Sequence, residues 1–152
     1  MSEKQRVRGF EKIVKYDGID IKMPKRQSKY SAGYDICTVD KLVIPPHKSI
    51  VFDTGVKAYM PDDEFLDLRI RSSKAIKENL MLKTCASVID SDYYNNRENE
   101  GHIMGALFNY GDTEVVIPAG ERIMQGIFVK FYTVDDDNAT ADRSGGIGST
   151  DK

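Results

Sequence analysis

The side chains best suited to chemistry lie in one short stretch, Val88-Ile89-Asp90-Ser91-Asp92-Tyr93. Two β-branched residues lead into a carboxylate, and a second carboxylate and a tyrosine follow. This order predicts a strand that enters a β-hairpin with Asp90 at its mouth. A carboxylate in that position can act as a general base while it stays within reach of water and a ligand. The same composition is also typical of an ordinary turn, so the stretch alone leaves both interpretations open.

Three other segments carry groups that suit an anion. Arg71-Ser72-Ser73 places a guanidinium and two hydroxyls just before a predicted helix, although Ser73 could equally be a helix cap. Gly120 to Gln125 reads as a turn that enters a strand, with Gln125 able to face a ligand. The glycine-rich end, Arg143 to Thr150, offers backbone N–H groups that can fold over phosphate, or it is simply a disordered terminus.

These groups together fit the attack of water on a polyphosphate, with a divalent cation to neutralise charge. The sequence shows no Ser/His or Cys/His pair that would suggest a protein nucleophile. Cys37 and Cys85 both have apolar neighbours, which predicts buried free thiols. His47 and His102 have no metal-ligating cluster around them, so a zinc site is not expected.

The elements that must position these groups are short strands. Residues 65–71 alternate between apolar and polar side chains, the pattern of a half-buried strand, and several similar runs follow turn signals. The first run covers residues 9–16, and one short helix is expected after Arg71. The pattern predicts an all-β barrel or sandwich over residues 1–134. Residues 135–152 are acidic and then glycine-rich, which predicts a flexible C-terminal arm.

Composition limits the class of protein. The formal net charge of the 152 residues is −2, so a nucleic-acid-binding surface is not expected. The charged N-terminus has no apolar signal region, and no apolar run is long enough for a membrane span. We therefore expect a cytoplasmic protein without a membrane partner. A single domain of this size has little room for a large pocket, and a pocket shared between identical subunits would remove that limit.

Five segments in this order resemble the five motifs of the homotrimeric all-β dUTPase family. They are Ala32–Ile36, Arg71–Ser73, Val88–Tyr93, Gly120–Gln125 and Arg143–Thr150. The resemblance covers nearly the whole chain from Met23 onward. It implies a jelly-roll-like β-barrel, a homotrimer with shared active sites, and Mg²⁺ as the cofactor.

The resemblance also implies a role for each site residue. Asp90 would deprotonate the water that attacks the α-phosphorus of dUTP, giving dUMP and pyrophosphate. Tyr93 would lie against the deoxyribose, and Asp35 would contact Mg²⁺ through water. The hairpin with Thr84 and Val88 would read the uracil. The phosphates would be held by Arg71, Ser72, Ser73 and Gln125, and closed over from another subunit by Arg143, Gly146, Ile147, Gly148 and Ser149.

The chain departs from the family pattern at three positions. Ile147 stands where the family usually has a phenylalanine that stacks on the base, which predicts looser arm closure and a higher KM. Thr84 replaces a usual asparagine and Ser87 a usual glycine, and residues 97–100 lengthen the hairpin. An alternative is therefore a catalytically weak, dUTP-binding regulatory module on the same fold. A related dCTP deaminase is a third hypothesis, but the sequence shows no matching glutamate motif.

Overall fold

The computed structural model describes residues 5–151. Their strands are β1 Gly9–Lys12, β2 Tyr34–Cys37, β3 Leu42–Ile44, β4 Ser49–Asp53, β5 Val56–Tyr59, β6 Glu64–Ile70, β7 Leu80–Leu82, β8 Ser87–Asp90, β9 Met104–Asn109, β10 Val115–Ile117 and β11 Arg122–Lys130. The α-helix α1 is Ser72–Glu78, and 3₁₀ turns cover Val14–Tyr16, Ser91–Tyr93 and Ser149–Asp151. The predicted all-β, jelly-roll-like fold is confirmed, as is the short helix after Arg71.

The strands pair antiparallel in four sheets. The largest has the order β2-β11-β6-β8, a second has the order β4-β9-β7, and the pairs β1-β5 and β10-β3 complete the set. Within the described residues these sheets do not close into one barrel. Strand β6 is central to the largest sheet, because β11 pairs with one of its edges and β8 with the other.

One apolar core joins the sheets. Leu66 and Leu68 of β6 are fully buried, as the alternation of residues 65–71 predicted, while Arg69, the residue after Leu68, is exposed. Each such leucine contributes about 1.5–3 kcal/mol through burial. Ile123 and Met124 of β11 are fully buried as well, and β6 and β11 therefore form a fixed frame for the residues at their ends.

Two predictions about local structure are wrong. Strand β8 pairs with β6, whereas β9 pairs with β4 and β7, so the segment around Asp90 is not a hairpin. The two strands belong to different sheets, where Ile89 of β8 packs partly buried against the core and Leu107 of β9 is fully buried. This packing outweighs the local tendency of a turn to pair its flanks. The predicted strand over residues 9–16 stops at Lys12, because a 3₁₀ turn begins at Val14.

Two side chains also differ from expectation. Arg71, not Ser73, is the N-cap residue of α1, and its side chain makes no capping bond. Cys37 is buried as predicted, and burial raises the pKa of its thiol. Cys85 is exposed, because it occupies a tight turn with a φ of 63° that points it away from the core.

Across residues 5–151, no helix combines the length and apolar character that a membrane crossing requires.

Candidate active site

A polar cavity of about 250 Å³ lies where β6 ends and α1 begins. Its lining is Gln27, Ser31, Gly33, Asp35, Arg71, Ser72, Arg122 and Gln125. Four of these residues, Asp35, Arg71, Ser72 and Gln125, belong to the set predicted from the sequence. The structure thus brings three of the four predicted phosphate-binding residues and the predicted metal-site carboxylate to one place.

Asp35 organises the charge of this cavity. Its Oδ1 lies 3.3 Å from Nε of Arg71, and its Oδ2 lies 3.2 Å from Nη1 of Arg122. The Asp35 side chain is only 11% exposed, whereas Arg122 is 44% exposed. The carboxylate therefore fixes two guanidinium groups that keep other N–H donors free to face an anion.

A β-bulge places Arg122 in the cavity. Between Arg122 and Met124 the register against β2 shifts, so that Arg122 pairs with Cys37 and Gln125 pairs with Asp35. In a regular strand, residues 122 and 125 would face opposite sides of the sheet. The bulge adds one residue, and both side chains then share the face that carries Asp35. Arg122 was not among the residues predicted for the site, because its guanidinium could equally pair with the neighbouring Glu121.

Gln125 sits against Gly33. A side chain at Gly33 would overlap the amide of Gln125, so this close approach of β11 to the loop before β2 requires a glycine.

Ser72 and Ser73 are the first two residues of α1. Because the cap residue is Arg71, the hydroxyl of Ser73 is not used to cap the helix. Ser73 does not line the cavity, and its predicted contact with phosphate stays a prediction.

Asp90 lies in a second group of polar side chains, at the end of β8. Arg143 of the C-terminal arm reaches it, with Nη2 of Arg143 2.7 Å from Oδ2 of Asp90. The same guanidinium donates from Nε to Oδ1 of Asp92, also at 2.7 Å. The Arg143 side chain is 12% exposed, while the two carboxylates are about half exposed. Asp92 was not among the predicted site residues, although its place two residues after Asp90 is a usable signal.

Tyr93 forms the floor of this second group. Its ring is buried, and the guanidinium carbon of Arg143 lies 6.0 Å from the ring centroid. The hydroxyl donates to the carbonyl of His102 at 2.7 Å and accepts from the amide of Asn99 at 2.8 Å. Burial raises the pKa of Tyr93, so the phenol stays neutral and keeps both bonds. These two hydrogen bonds fix the orientation of the ring, and its predicted contact with the deoxyribose stays a prediction.

The rest of the predicted arm residues lie close by. Ser149 donates to the carbonyl of Gly145 at 3.0 Å and begins a 3₁₀ turn, with Gly148 just before it at a φ of 71°. Gly146 is buried, whereas the side chain of Ile147 is 74% exposed. In the described chain the arm rests on its own Asp90, and its predicted closure over a neighbouring subunit stays a prediction.

The remaining predicted contacts lie on the turn before β8 and at the start of that strand. Thr84 and Ser87 are bonded to each other, with 2.7 Å between their hydroxyl oxygens. The two departures from the family pattern are therefore one structural unit. Val88 is exposed on β8 opposite Asp67 of β6. The predicted contact of Thr84 and Val88 with the base stays a prediction.

The two groups of polar side chains lie at opposite ends of β6. Asp90 pairs with Phe65 near the start of the strand, and Arg71 follows its last residue, six positions further along. At about 3.3 Å per residue this is roughly 20 Å. Along the backbone, Asp90 and Arg71 of one chain are therefore further apart than the length of a triphosphate.

The side chains around Asp35 suit a magnesium ion that is held mainly by phosphate oxygens. Mg²⁺ keeps several of its waters and is usually bound through substrate phosphates and one or two carboxylates. Asp35 can accept hydrogen bonds from such waters while it holds Arg71 and Arg122. Among residues 5–151, no three His, Cys, Asp or Glu side chains gather as an all-protein metal cage.

Comparison with known proteins gives a consistent result. The family model described as dUTPase matches residues 20–151. The chain belongs to the dUTPase family. A deoxyuridine 5'-triphosphate nucleotidohydrolase of Lactococcus lactis is 44% identical over 147 residues, which cover 95% of this chain and 98% of that protein.

Solved dUTPase structures share the fold. The crystal structure of dUTPase from Streptococcus mutans has a TM-score of 0.77 and 43% identity, and the match covers 84% of this chain and 98% of that one. A mutant dUTPase of phage phi11 of S. aureus has a TM-score of 0.71 at 19% identity, with 90% and 98% covered. Its structure concerns the coordination of a structural Mg(II) ion. The family resemblance drawn from five sequence motifs is confirmed.

Proposed function

We propose that this dUTPase-family protein hydrolyses dUTP to dUMP and pyrophosphate, with Asp90 as the general base. The observation that carries the proposal is the meeting of Asp90 with Arg143 of the glycine-rich arm, 2.7 Å apart. A carboxylate and a phosphate-binding arm that are 53 residues apart in the chain meet beside a fixed tyrosine. That arrangement suits the attack of water on a phosphorus atom next to a sugar.

In the proposed reaction a water molecule gives its proton to the carboxylate of Asp90 as its oxygen bonds to the α-phosphorus. The bond from that phosphorus to the bridging oxygen breaks, and pyrophosphate leaves. Arg71, Ser72, Ser73 and Gln125 are proposed to hold the phosphates, because three of them line the polar cavity. Asp35 would hold the waters of a Mg²⁺ ion, which would supply positive charge to neutralise the phosphates.

Arg143 is proposed to change partners when the substrate binds. In the chain as described, its guanidinium neutralises Asp90 and Asp92. A triphosphate carries more negative charge than either carboxylate and accepts bidentate bonds from arginine. The substrate can therefore draw Arg143 away from Asp90, which leaves the base free to take a proton. Gly146, Ile147, Gly148 and Ser149 are proposed to follow Arg143 over the phosphates.

A homotrimer with shared active sites is part of the same proposal. The separation of roughly 20 Å along β6 supports it, because Asp90 of one chain needs the phosphate cavity of another. Tyr93 would then present its ring to the deoxyribose beside Asp90, and Thr84 and Val88 would lie along the base. A cytoplasmic location, without nucleic-acid or membrane partners, fits the net charge of −2.

Pyrophosphate release tests the proposal. The protein is assayed with Mg²⁺ and dUTP, and in parallel with dTTP, dCTP and UTP. We expect release from dUTP far above the other three. Binding of dUTP without pyrophosphate release would contradict the proposal and favour the regulatory module. Release of ammonia from dCTP would favour the deaminase.

A further inference from the structure

A buried lysine lies next to the residues that form the polar cavity, although it is not part of the lining. Lys74 of α1 has a side chain that is only 3% exposed. Its ammonium lies 2.8 Å from Oε1 of Glu78, one helical turn further on, and also pairs with Oε1 of Glu121, the residue before β11. Burial alone would lower the pKa of Lys74, but the hydrogen bonds to Glu121 and Glu78 raise it above its ordinary value. Lys74 is therefore a cation held between two carboxylates.

Glu121, one of these partners, stands beside the guanidinium groups of the cavity. It directly precedes Arg122, whose guanidinium pairs with Asp35. Glu121 and Arg122 also line a second cavity of about 480 Å³, which adjoins the first because both are lined by Gln27, Asp35 and Arg122. The Glu121 side chain is 35% exposed. Without a cation to neutralise it, a carboxylate at this position would repel a bound phosphate or compete with it for Arg122.

Lys74 supplies that cation, and hydrogen bonds of the backbone fix its place. The N–H of Lys74 donates to the carbonyl of Arg71 at 3.0 Å, and the N–H of Arg71 donates to the carbonyl of Ile123 in β11 at 3.1 Å. The turn that carries Glu121 is held as well, because the N–H of Thr38 donates to the carbonyl of Glu121 at 3.1 Å. Lys74 and Glu121 therefore both stand on fixed backbone, and their pairing does not depend on a mobile loop.

We infer that Lys74 is a positioning residue for the phosphates, because it binds the carboxylate of Glu121 and so leaves Arg122 free to face an anion. This inference rests on the proposed function, since it concerns the phosphate cavity of that site. Arg122 already shares the carboxylate of Asp35 with Arg71. A second, unpaired carboxylate beside Arg122 would occupy the N–H donors that a phosphate needs. Lys74 removes that competition without touching the substrate.

Binding of inorganic triphosphate measures this role without any turnover of dUTP. Calorimetry with Mg²⁺ present gives the dissociation constant for the full chain. Lys74→Met keeps a side chain of similar length and removes its charge, which leaves Glu121 unpaired. We expect triphosphate to bind about tenfold more weakly, because the unpaired carboxylate repels it and pairs with Arg122. Lys77→Met removes the same charge from an exposed position of α1 and should bind triphosphate as the wild type does.

Two double variants separate this role from a purely structural one. Lys74→Met with Glu121→Gln removes the competing charge and should restore triphosphate affinity to within about twofold of the wild type. Lys74→Met with Glu78→Gln also removes one cation and one carboxylate, but it leaves Glu121 unpaired, so binding should stay about tenfold weaker. Both double variants lose the ion pairs of Lys74 and keep the net charge of the chain. Their comparison therefore holds even if Lys74→Met alone folds poorly.

Steady-state kinetics with dUTP give the second measurement. A positioning role in phosphate binding predicts that Lys74→Met raises KM about tenfold while kcat changes less than about twofold, with recovery only when Glu121→Gln is added. Equal triphosphate affinity in the two double variants would overturn the inference, because the charge of Glu121 would then have no effect on the phosphates. If their affinities differ as expected but no form of the protein hydrolyses dUTP, the proposed function fails and the role of Lys74 stands.

Discussion

The two ends of β6 hold carboxylates in different ways. At the Arg71 end, Asp35 is 11% exposed and is enclosed by two guanidinium groups on paired strands and at the start of α1. At the other end, Asp90 and Asp92 are about half exposed, and their partner Arg143 comes from an arm without regular structure around it. The first end is a fixed receptor for charge. The second end is assembled from a loop and the C-terminal arm, and the proposed function has Arg143 of that arm exchange its partners.

The difference fits a division of work between recognition and chemistry. Phosphate oxygens need donors that are already in place, and donors fixed by a buried carboxylate do not have to reorganise. A base must first be accessible to water and then be covered. An exposed carboxylate with a movable arginine meets both needs. The predictions below test whether the ends differ in this way, from the largest expected effect to the smallest.

Asp90→Asn should lower kcat by a factor of about 10² or more while dUTP binding persists, because the amide cannot take a proton from water. Single-turnover kinetics measure the chemical step, and calorimetry measures binding. Asp92→Asn is the matched control, since it also removes a partner of Arg143 but not the base. Equal losses of kcat in the two variants would show that Asp90 acts only through the arm.

Mixed assemblies test whether the Asp90 end and the Arg71 end of β6 in one chain belong to different active sites. Asp90→Asn and Arg71→Ala should each be nearly inactive alone. If every site takes Asp90 and Arg71 from different chains, random co-assembly of equal amounts restores about one quarter of the sites. Pyrophosphate release from the refolded mixture measures this recovery. A mixture as inactive as its components would show that one chain supplies both residues, against the separation along β6.

Ile147→Phe should strengthen the binding of the nucleotide by the C-terminal arm, at the Asp90 end of β6. The Ile147 side chain is exposed, and an aromatic ring there could stack on the base of a bound nucleotide. Stacking of this kind is worth about 1–3 kcal/mol, so KM should fall about fivefold or more with little change in kcat. Steady-state kinetics with dUTP check the change, and Ile147→Leu serves as the aliphatic control. An unchanged KM would place residue 147 outside the closed site.

The smallest expected effect concerns pH at the Asp90 end. His102 is buried, its Nε2 accepts from the N–H of Gly55 at 3.0 Å, and burial lowers its pKa. Its carbonyl also holds the hydroxyl of Tyr93. As the pH falls, His102 therefore takes up a proton at a higher pH in the unfolded chain than in the folded chain. The stability contributed by neutral His102 is then lost as the pH falls below about 6.5.

The measurement is the free energy of unfolding between pH 7 and pH 5. One proton can contribute a slope of at most about 1.4 kcal/mol per pH unit. In His102→Gln, whose amide oxygen can replace Nε2 as the acceptor from Gly55, that part of the slope should disappear. An identical pH profile in the variant would show that His102 does not titrate differently in the two states.

Much of this could be predicted from the sequence. The alternation around Leu66 and Leu68 identified β6, and the five segments identified the family and half of the residues that line the cavity. The prediction failed where local pattern and long-range pairing disagree. The sequence around Asp90 predicts a hairpin, but β8 finds its partner in β6, which lies about twenty residues earlier.

The sequence by itself determined which groups are present: a carboxylate after a β-branched pair, two arginine sites, and a glycine-rich end. It could do so because residue type and short-range spacing are local properties. The tertiary structure adds three facts. A bulge turns Arg122 toward Asp35, and Asp90 and Arg71 lie at opposite ends of one strand. Glu98 accepts a hydrogen bond from the N–H of Gly146. These facts depend on strand register and on contacts between distant segments, which alternation along a single chain does not encode.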